Sequence, residues 1–316
     1  MPRLKKILKS FKFWATLIVL PLALIGCAGI FMDFESEFVS DEFVSRETLK
    51  ATVSVSRGAD GGEGIELSYL RSGDPNGQRV IFVHGTPGDA GGNWYTILKN
   101  VPDGFEFIAV DRPGFGFTKP KKQLVELDAQ AAALAPLFVT RGGKKTILAG
   151  HSLGGPIVAA AAANYPEDVG GILVLAGALD PDLEDVLFIQ YVGDVPPISW
   201  LLPAVMRHSN RELIALEDEL RLLQPKLADI TQPVTIIHGT EDDLVPYDNV
   251  PFMERTMTGT RQLEVIKIDG MNHFLQWRQR DVIMDAVVDI AEAVNAPGVV
   301  VPPSLKVVSY TEPAQE

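Results

Sequence analysis

From about residue 49 to residue 296, short apolar runs rich in β-branched residues alternate with longer segments whose apolar positions recur every three or four residues. The short runs fit strands buried on both faces, and the longer segments fit amphipathic helices laid over them. The strand candidates are residues 52–56, 65–71, 80–83, 106–110, 146–149, 172–176, 234–238 and 263–268. This alternation predicts an α/β fold with a mostly parallel eight-stranded sheet and helices on both faces. The turn sequence Ser72-Gly73-Asp74-Pro75-Asn76-Gly77 predicts an antiparallel hairpin between the second and third strands, at the sheet edge. The clearest helix spans residues 281–294, where Ile283, Val287, Ile290 and Val294 share a face and Pro297-Gly298 closes it.

One segment breaks the rhythm. Residues 181–229 separate two strand candidates by 49 residues, too many for an ordinary crossover, and hold a helix near residues 210–224 with Leu213, Leu216, Leu220 and Leu223 on one side. This segment is expected to be a short helical cap inserted in a core of residues 49–180 and 230–296. Residues 27–48 read as a linker and residues 297–316 as a flexible tail.

The first residues change the picture again. Arg3, Lys5, Lys6, Lys9 and Lys12 precede twenty uncharged residues, 13–32, long enough to cross a bilayer as a helix. Within that stretch Leu24-Ile25-Gly26-Cys27 resembles a bacterial lipobox, which makes residues 1–26 a signal peptide and Cys27 the lipid attachment site. The alternative is an uncleaved signal anchor, which Ile30, Phe31 and Met32 favour by extending the apolar run. Either reading puts the folded part outside the cytoplasm, tethered to a cell membrane or outer membrane. Cys27 is the single cysteine, so no internal disulfide forms.

The formal net charge is -13, and without residues 1–26 there are 23 basic side chains against 41 acidic ones. A surface so acidic makes nucleic acid an unsuitable partner.

Residues 146–149 form a strand candidate, Gly150-His151-Ser152-Leu153-Gly154-Gly155 a tight turn, and the alanine-rich stretch to Asn164 a helix. A serine on such a turn projects its oxygen into open space beside the unpaired amides of the helix start, and glycines around it relieve collisions. The sequence GHSLGG resembles the nucleophile elbow of the α/β-hydrolase family, and the similarity in element order covers about residues 50–295. VIFVHGTPG, residues 80–88, is similar to the family's HGxPG loop, and DRPGFG, residues 111–116, to its DRPGxG turn. The resemblance implies Ser152 as nucleophile and the amides of Thr86 and Leu153 as the oxyanion hole. His84 and Arg112 are expected to brace these loops.

A serine nucleophile needs a histidine base and an acid that holds the imidazole in one tautomer. Of the five histidines, His84 and His151 belong to these turns, His238 ends a strand and His208 lies in the cap. His273, after the last strand and before the last helix, occurs where the family keeps its catalytic histidine. HGTEDDLVP, residues 238–246, resembles the family's HGxxDxxVP acid loop, whose register selects Asp242. Asp180 competes, because some family members supply the acid after the sixth strand.

The implied reaction is hydrolysis of a small ester or acyl substrate through an acyl-enzyme, without cofactor or metal; serine at the elbow argues against the haloalkane dehalogenase and epoxide hydrolase chemistry of relatives sharing the HGxP loop. Residues 186–189 and 196–206, with Trp200, are expected to line an acyl pocket or to pack the cap on the core. One alternative is an aminopeptidase similar to the proline iminopeptidases, with Glu212, Glu217, Asp218 and Glu219 as the acids holding an amino terminus. Against it, Leu153 stands where those enzymes usually carry tryptophan. The other is a hydrolase-like binding protein without turnover.

Overall fold

The computed structural model describes residues 40–54, 62–296, 298 and 300–310. The apolar runs become strands β1 (Ser45–Ser54), β2 (Gly62–Gly73), β3 (Gln78–Val83), β4 (Phe105–Val110), β5 (Thr146–His151), β6 (Val169–Leu175), β7 (Val234–Gly239), β8 (Leu263–Asp269) and β9 (Ser304–Ser309). They form one sheet in the order β1-β2-β4-β3-β5-β6-β7-β8-β9, antiparallel at β1, β2 and β4 and parallel from β4 to β9.

Successive residues of the central strands feed two cores, as the pleat requires. Ile81, Val83, Ile108, Val110, Leu148 and Val174 face one side. There they meet helices α2 (Leu127–Leu134) and α3 (Gly154–Asn164). Val80, Phe82, Phe107, Ala109, Ile147 and Leu173 face the other side, against helix α1 (Ala90–Leu98) and the last helix.

After β6 the chain makes a 3₁₀ turn (Pro181–Leu183) and then helices α4 (Phe188–Asp194), α5 (Ile198–Leu201) and α6 (Ala204–Leu223), returning through the 3₁₀ turn Gln224–Asp229. These elements occupy the expected cap, with Leu216, Leu220 and Leu223 of α6 buried in the first core. Helices α7 (Asn249–Thr256), α8 (Leu275–Arg278) and α9 (Arg280–Asn295) complete the fold. Among the described residues no helix is long and apolar enough to cross a membrane. The apolar stretch 13–32 and Cys27 lie outside the described residues.

The structure corrects four expectations. The sheet has nine strands, because residues 304–309 of the expected tail pair in parallel with β8. Only Val308 of that strand is half-buried, so backbone pairing with an open sheet edge stabilises it without an alternating pattern. The first strand begins at Ser45, inside the expected linker, because polar Arg46 and Glu47 find partners in Asp111, Tyr69 and Arg71. The turn at residues 72–77 does not join a hairpin: β2 pairs with β4, and β3 passes to the far side of β4. Finally, α6 starts at Ala204, earlier than the leucine spacing suggested.

Candidate active site

The loops that leave β3, β5, β7 and β8 at their carboxyl ends meet at one place, where ligands collect on parallel sheets. Ser152 sits directly after β5 with φ at 55°. A non-glycine residue in this left-handed region is strained by about 1–3 kcal/mol, a conformation kept only where surrounding structure enforces it. Here the enforcement is close packing: a Cβ on Gly150 would lie 2.2 Å from the Gly154 carbonyl, and one on Gly154 would lie 2.3 Å from the Val83 carbonyl. The backbone of Ser152 is held by its N–H to the Leu175 carbonyl and by the Gly155 N–H on its own carbonyl.

His273 lies on the loop between β8 and α8. Its Nδ1–H donates to Asp242 Oδ2 at 2.7 Å, which leaves Nε2 free to accept a proton. Asp242 is anchored in turn, since its Oδ1 accepts the Leu244 and Val245 amides at 3.0 and 2.8 Å. Burial raises the Asp242 pKa, but the His273 hydrogen bond and charge and the Val245 amide outweigh burial and hold the carboxyl below its usual range.

His151 supports the base from below. Its Nε2–H donates to the His273 carbonyl at 2.9 Å, and the two rings lie 4.7 Å apart. Burial first, and then the neighbouring His273, push His151 down to about 3, so it stays neutral there.

Ser152, His273, Thr86 and Leu153 line one cavity of about 480 Å³. Leu153 caps the amino end of α3, and among the described residues neither its amide nor that of Thr86 has a protein acceptor. The rest of the wall is mainly apolar, with Leu213 and Leu216 from the cap, Leu244 and Phe274 from the core loops and Trp277 from α8.

The loop carrying Thr86 is braced as expected. The Arg112 amide donates to His84 Nε2 at 3.1 Å, and His84 Nδ1–H donates to the Gly85 carbonyl at 2.7 Å. Burial, and then the Arg112 charge, hold His84 well below its usual pKa. Arg112 also donates to the Gly85 carbonyl at 2.8 Å, and it pairs with Glu212 of α6 at 2.6 and 3.1 Å.

Ser152, His273, Asp242, Thr86 and Leu153 are thus brought together, and Asp180 is not. The Asp180 carboxylate instead accepts the Asp182 amide at 3.0 Å and caps the turn that opens the cap. The cap residues behave differently from expectation. Phe188 and Trp200 are 81% and 73% exposed, so they neither line the cavity nor pack on the core. The apolar part of the cap's wall comes from Leu213 and Leu216 of α6. The acids named for the aminopeptidase reading also lie elsewhere: Glu212 serves Arg112, Glu219 accepts the Leu127 amide and Glu217 pairs with Arg221.

Three polar residues in the cavity escaped the sequence reading, Asn93, Glu184 and Gln276. Glu184 follows a strand by a few residues in a polar stretch and carries no periodic signal. Gln276 stands three residues after His273, and its place on a short helix over the cavity was the only available hint.

The sequence family described as alpha/beta hydrolase fold matches residues 78–197. The chain is 30% identical to Lipase 1 of Psychrobacter immobilis over 246 residues, covering 66% of this chain and 75% of that one. The chain belongs to the alpha/beta hydrolase family. This hydrolase is also 30% identical, over 181 residues and 55% of its length, to the dihydrolipoyllysine-residue acetyltransferase component of the acetoin cleaving system of Cupriavidus necator, of which it spans 47%. Among solved structures it resembles a thermophilic esterase from Thermogutta terrifontis, with a TM-score of 0.56 at 20% identity, covering 79% of this chain and all of that one.

Proposed function

We propose that this hydrolase cleaves carboxylic esters through an acyl-enzyme on Ser152. The observation that carries the reading is the Asp242–His273 hydrogen bond beside a serine held at positive φ in one cavity. In this mechanism His273 Nε2 takes the Ser152 proton as Oγ attacks the ester carbonyl. The oxyanion is received by the Leu153 and Thr86 amides, each contributing about 3 kcal/mol of transition-state stabilisation. Collapse expels the alcohol, protonated by His273, and water attacks the acyl-enzyme by the same route in reverse. The likeness to an esterase and a lipase supports this choice of bond, and the apolar walls suit an acyl chain.

The tether belongs to the same proposal. The basic start and the uncharged residues 13–32, with Cys27 as lipid attachment site or as part of a signal anchor, would hold the domain at an extracytoplasmic membrane face. The exposed apolar cap residues Leu187, Phe188, Ile189 and Trp200 are compatible with a nearby lipid surface.

The test is labelling with a fluorophosphonate, combined with hydrolysis of 4-nitrophenyl esters of increasing length. Ser152→Ala is expected to abolish labelling and to lower turnover by about three orders of magnitude or more, with the fold unchanged. Turnover within tenfold of the parent protein rejects the assignment.

A further inference from the structure

The cavity that holds Ser152 contains acceptors without donors. Glu184 faces it from the loop that opens the cap, and among the described residues this carboxylate has no hydrogen bond or ion pair. Gln276 faces it from α8, is 1% exposed and leaves its side-chain Oε1 without a partner. That oxygen is sealed from the open space, so the acceptor a bound molecule would meet is the Glu184 carboxylate.

No lysine or arginine is among the residues lining the cavity. Arg112 runs behind the wall, but it is 1% exposed and neutralised by Glu212. His151, the neighbour of His273, stays neutral at working pH. Glu184 instead lies beside Asp180, Asp185 and Glu217, of which Glu217 is paired with the exposed Arg221, and Asp242 lies behind His273. Burial and those three acids push the Glu184 carboxyl up to about 7, which is the behaviour of an acid with no cation to pair with.

We propose that Glu184 is a charge filter for the ester substrate: it rejects anionic esters and accepts hydrogen bonds from a hydroxyl or ammonium group on the substrate. The filter rests on the reading of Ser152 as an esterase nucleophile, because it assigns the polarity of the molecule that nucleophile attacks. A carboxylate on the substrate would meet Glu184 with no counter-charge in the wall, whereas a hydroxyl or ammonium group would give its carboxylate a donor.

The experiment compares 4-nitrophenyl esters of hexanoic acid carrying a methyl, hydroxyl, ammonium or carboxylate terminus. A second set places the same groups on the alcohol side, and both are assayed at pH 8.5 in low salt. In at least one set the parent protein is expected to use the carboxylate ester about tenfold or more less efficiently than the methyl ester, and the ammonium ester better than either, because one charge in a half-buried site has that leverage. Glu184→Gln keeps the shape and an acceptor but deletes the charge, so the carboxylate penalty should shrink while the hydroxyl preference stays. Glu184→Lys should reverse the charge preference. If the ratios of kcat/KM are within twofold of the parent in both variants and both sets, the filter is wrong although the esterase reading stands. If the parent hydrolyses none of the esters and takes no fluorophosphonate on Ser152, both fall together.

Discussion

Asp242→Asn separates the role of the acid from its mere presence, and the structure says how the new side chain would sit. One carboxylate oxygen of Asp242 is pinned by two backbone amides, at 3.0 and 2.8 Å from Leu244 and Val245. An asparagine at this position can satisfy those donors only with its carbonyl oxygen. Its NH₂ group then occupies the place of Oδ2, 2.7 Å from His273 Nδ1. Two donors cannot face each other, so the imidazole must move its proton to Nε2, the atom that should receive the Ser152 proton. The expected loss in kcat is about four orders of magnitude, or roughly 5.5 kcal/mol of barrier, as for the same exchange in a serine protease.

The assay is steady-state ester hydrolysis on protein titrated with fluorophosphonate, since trace contamination would mask a loss of this size. Urea unfolding supplies the control for folding, with an expected cost of a few kcal/mol at most from the weakened charged hydrogen bonds. Asp180→Asn should leave kcat within a few-fold, because that carboxylate caps a turn through the Asp182 amide. Full activity in Asp242→Asn together with loss in Asp180→Asn would refute the whole line of reasoning.

Glu212→Ala leaves Arg112 buried without its counter-charge and should lower unfolding free energy by about 3–5 kcal/mol, read by urea titration. In the same experiment Glu217→Gln, which breaks only the exposed pair with Arg221, should shift it by less than about 1 kcal/mol. Stability should also fall between pH 7.5 and pH 5.5, measured by the urea midpoint. His84, His151 and His238 all have pKa values lowered by burial from the usual 6.5, so the unfolded chain takes up protons that the folded one refuses as pH drops below that value. Each contributes at most about 1.4 kcal/mol per pH unit. The raised Glu184 and Glu264 work in the opposite sense, but His208, also lowered by burial, joins the three histidines, so an unchanged or higher midpoint at pH 5.5 would contradict the assigned neutral histidines.

The parts of the site legible in the sequence are those fixed by local backbone demands. GHSLGG could be read because a serine at φ 55° is flanked by Gly150 and Gly154, where an added Cβ would come within 2.5 Å of backbone carbonyls, so little besides glycine is tolerated there. Asp242 could be placed because its carboxylate closes its own loop on Leu244 and Val245, a contact of two and three residues. The central strands were legible for a related reason: burial on both faces leaves no room for polar residues. The edges were not. β9 borrows its order from β8, and β1 opens on Arg46, ion-paired with Asp111, and Glu47, which pairs with Arg71 and accepts the Tyr69 hydroxyl.

The cap shows why apolar content alone is a poor guide to a binding wall. Trp200 and Phe188 were natural choices for an acyl pocket, being large and set in an apolar segment, yet both face outwards. What turns the cap is α6, and α6 is oriented by a polar contact: Glu212 reaches 100 residues back to Arg112, which also holds the Gly85 carbonyl of the loop bearing Thr86. One guanidinium therefore ties the cap helix to the loop with the oxyanion amide. That tie, together with the Glu219 contact to the Leu127 amide, the His208 contact to the Gly114 carbonyl and the burial of Leu216, Leu220 and Leu223, sets which face of α6 looks into the cavity, and so brings Leu213 and Leu216 over Ser152 while leaving α4 and α5 on the outside. Hydrophobic periodicity gave α6 a buried stripe but could not orient the shorter helices around it, because four and seven residues are too few to define a face. A site wall of this kind depends on long-range polar contacts as well as on its leucine stripe, and those contacts leave no trace in the spacing of residues along the chain.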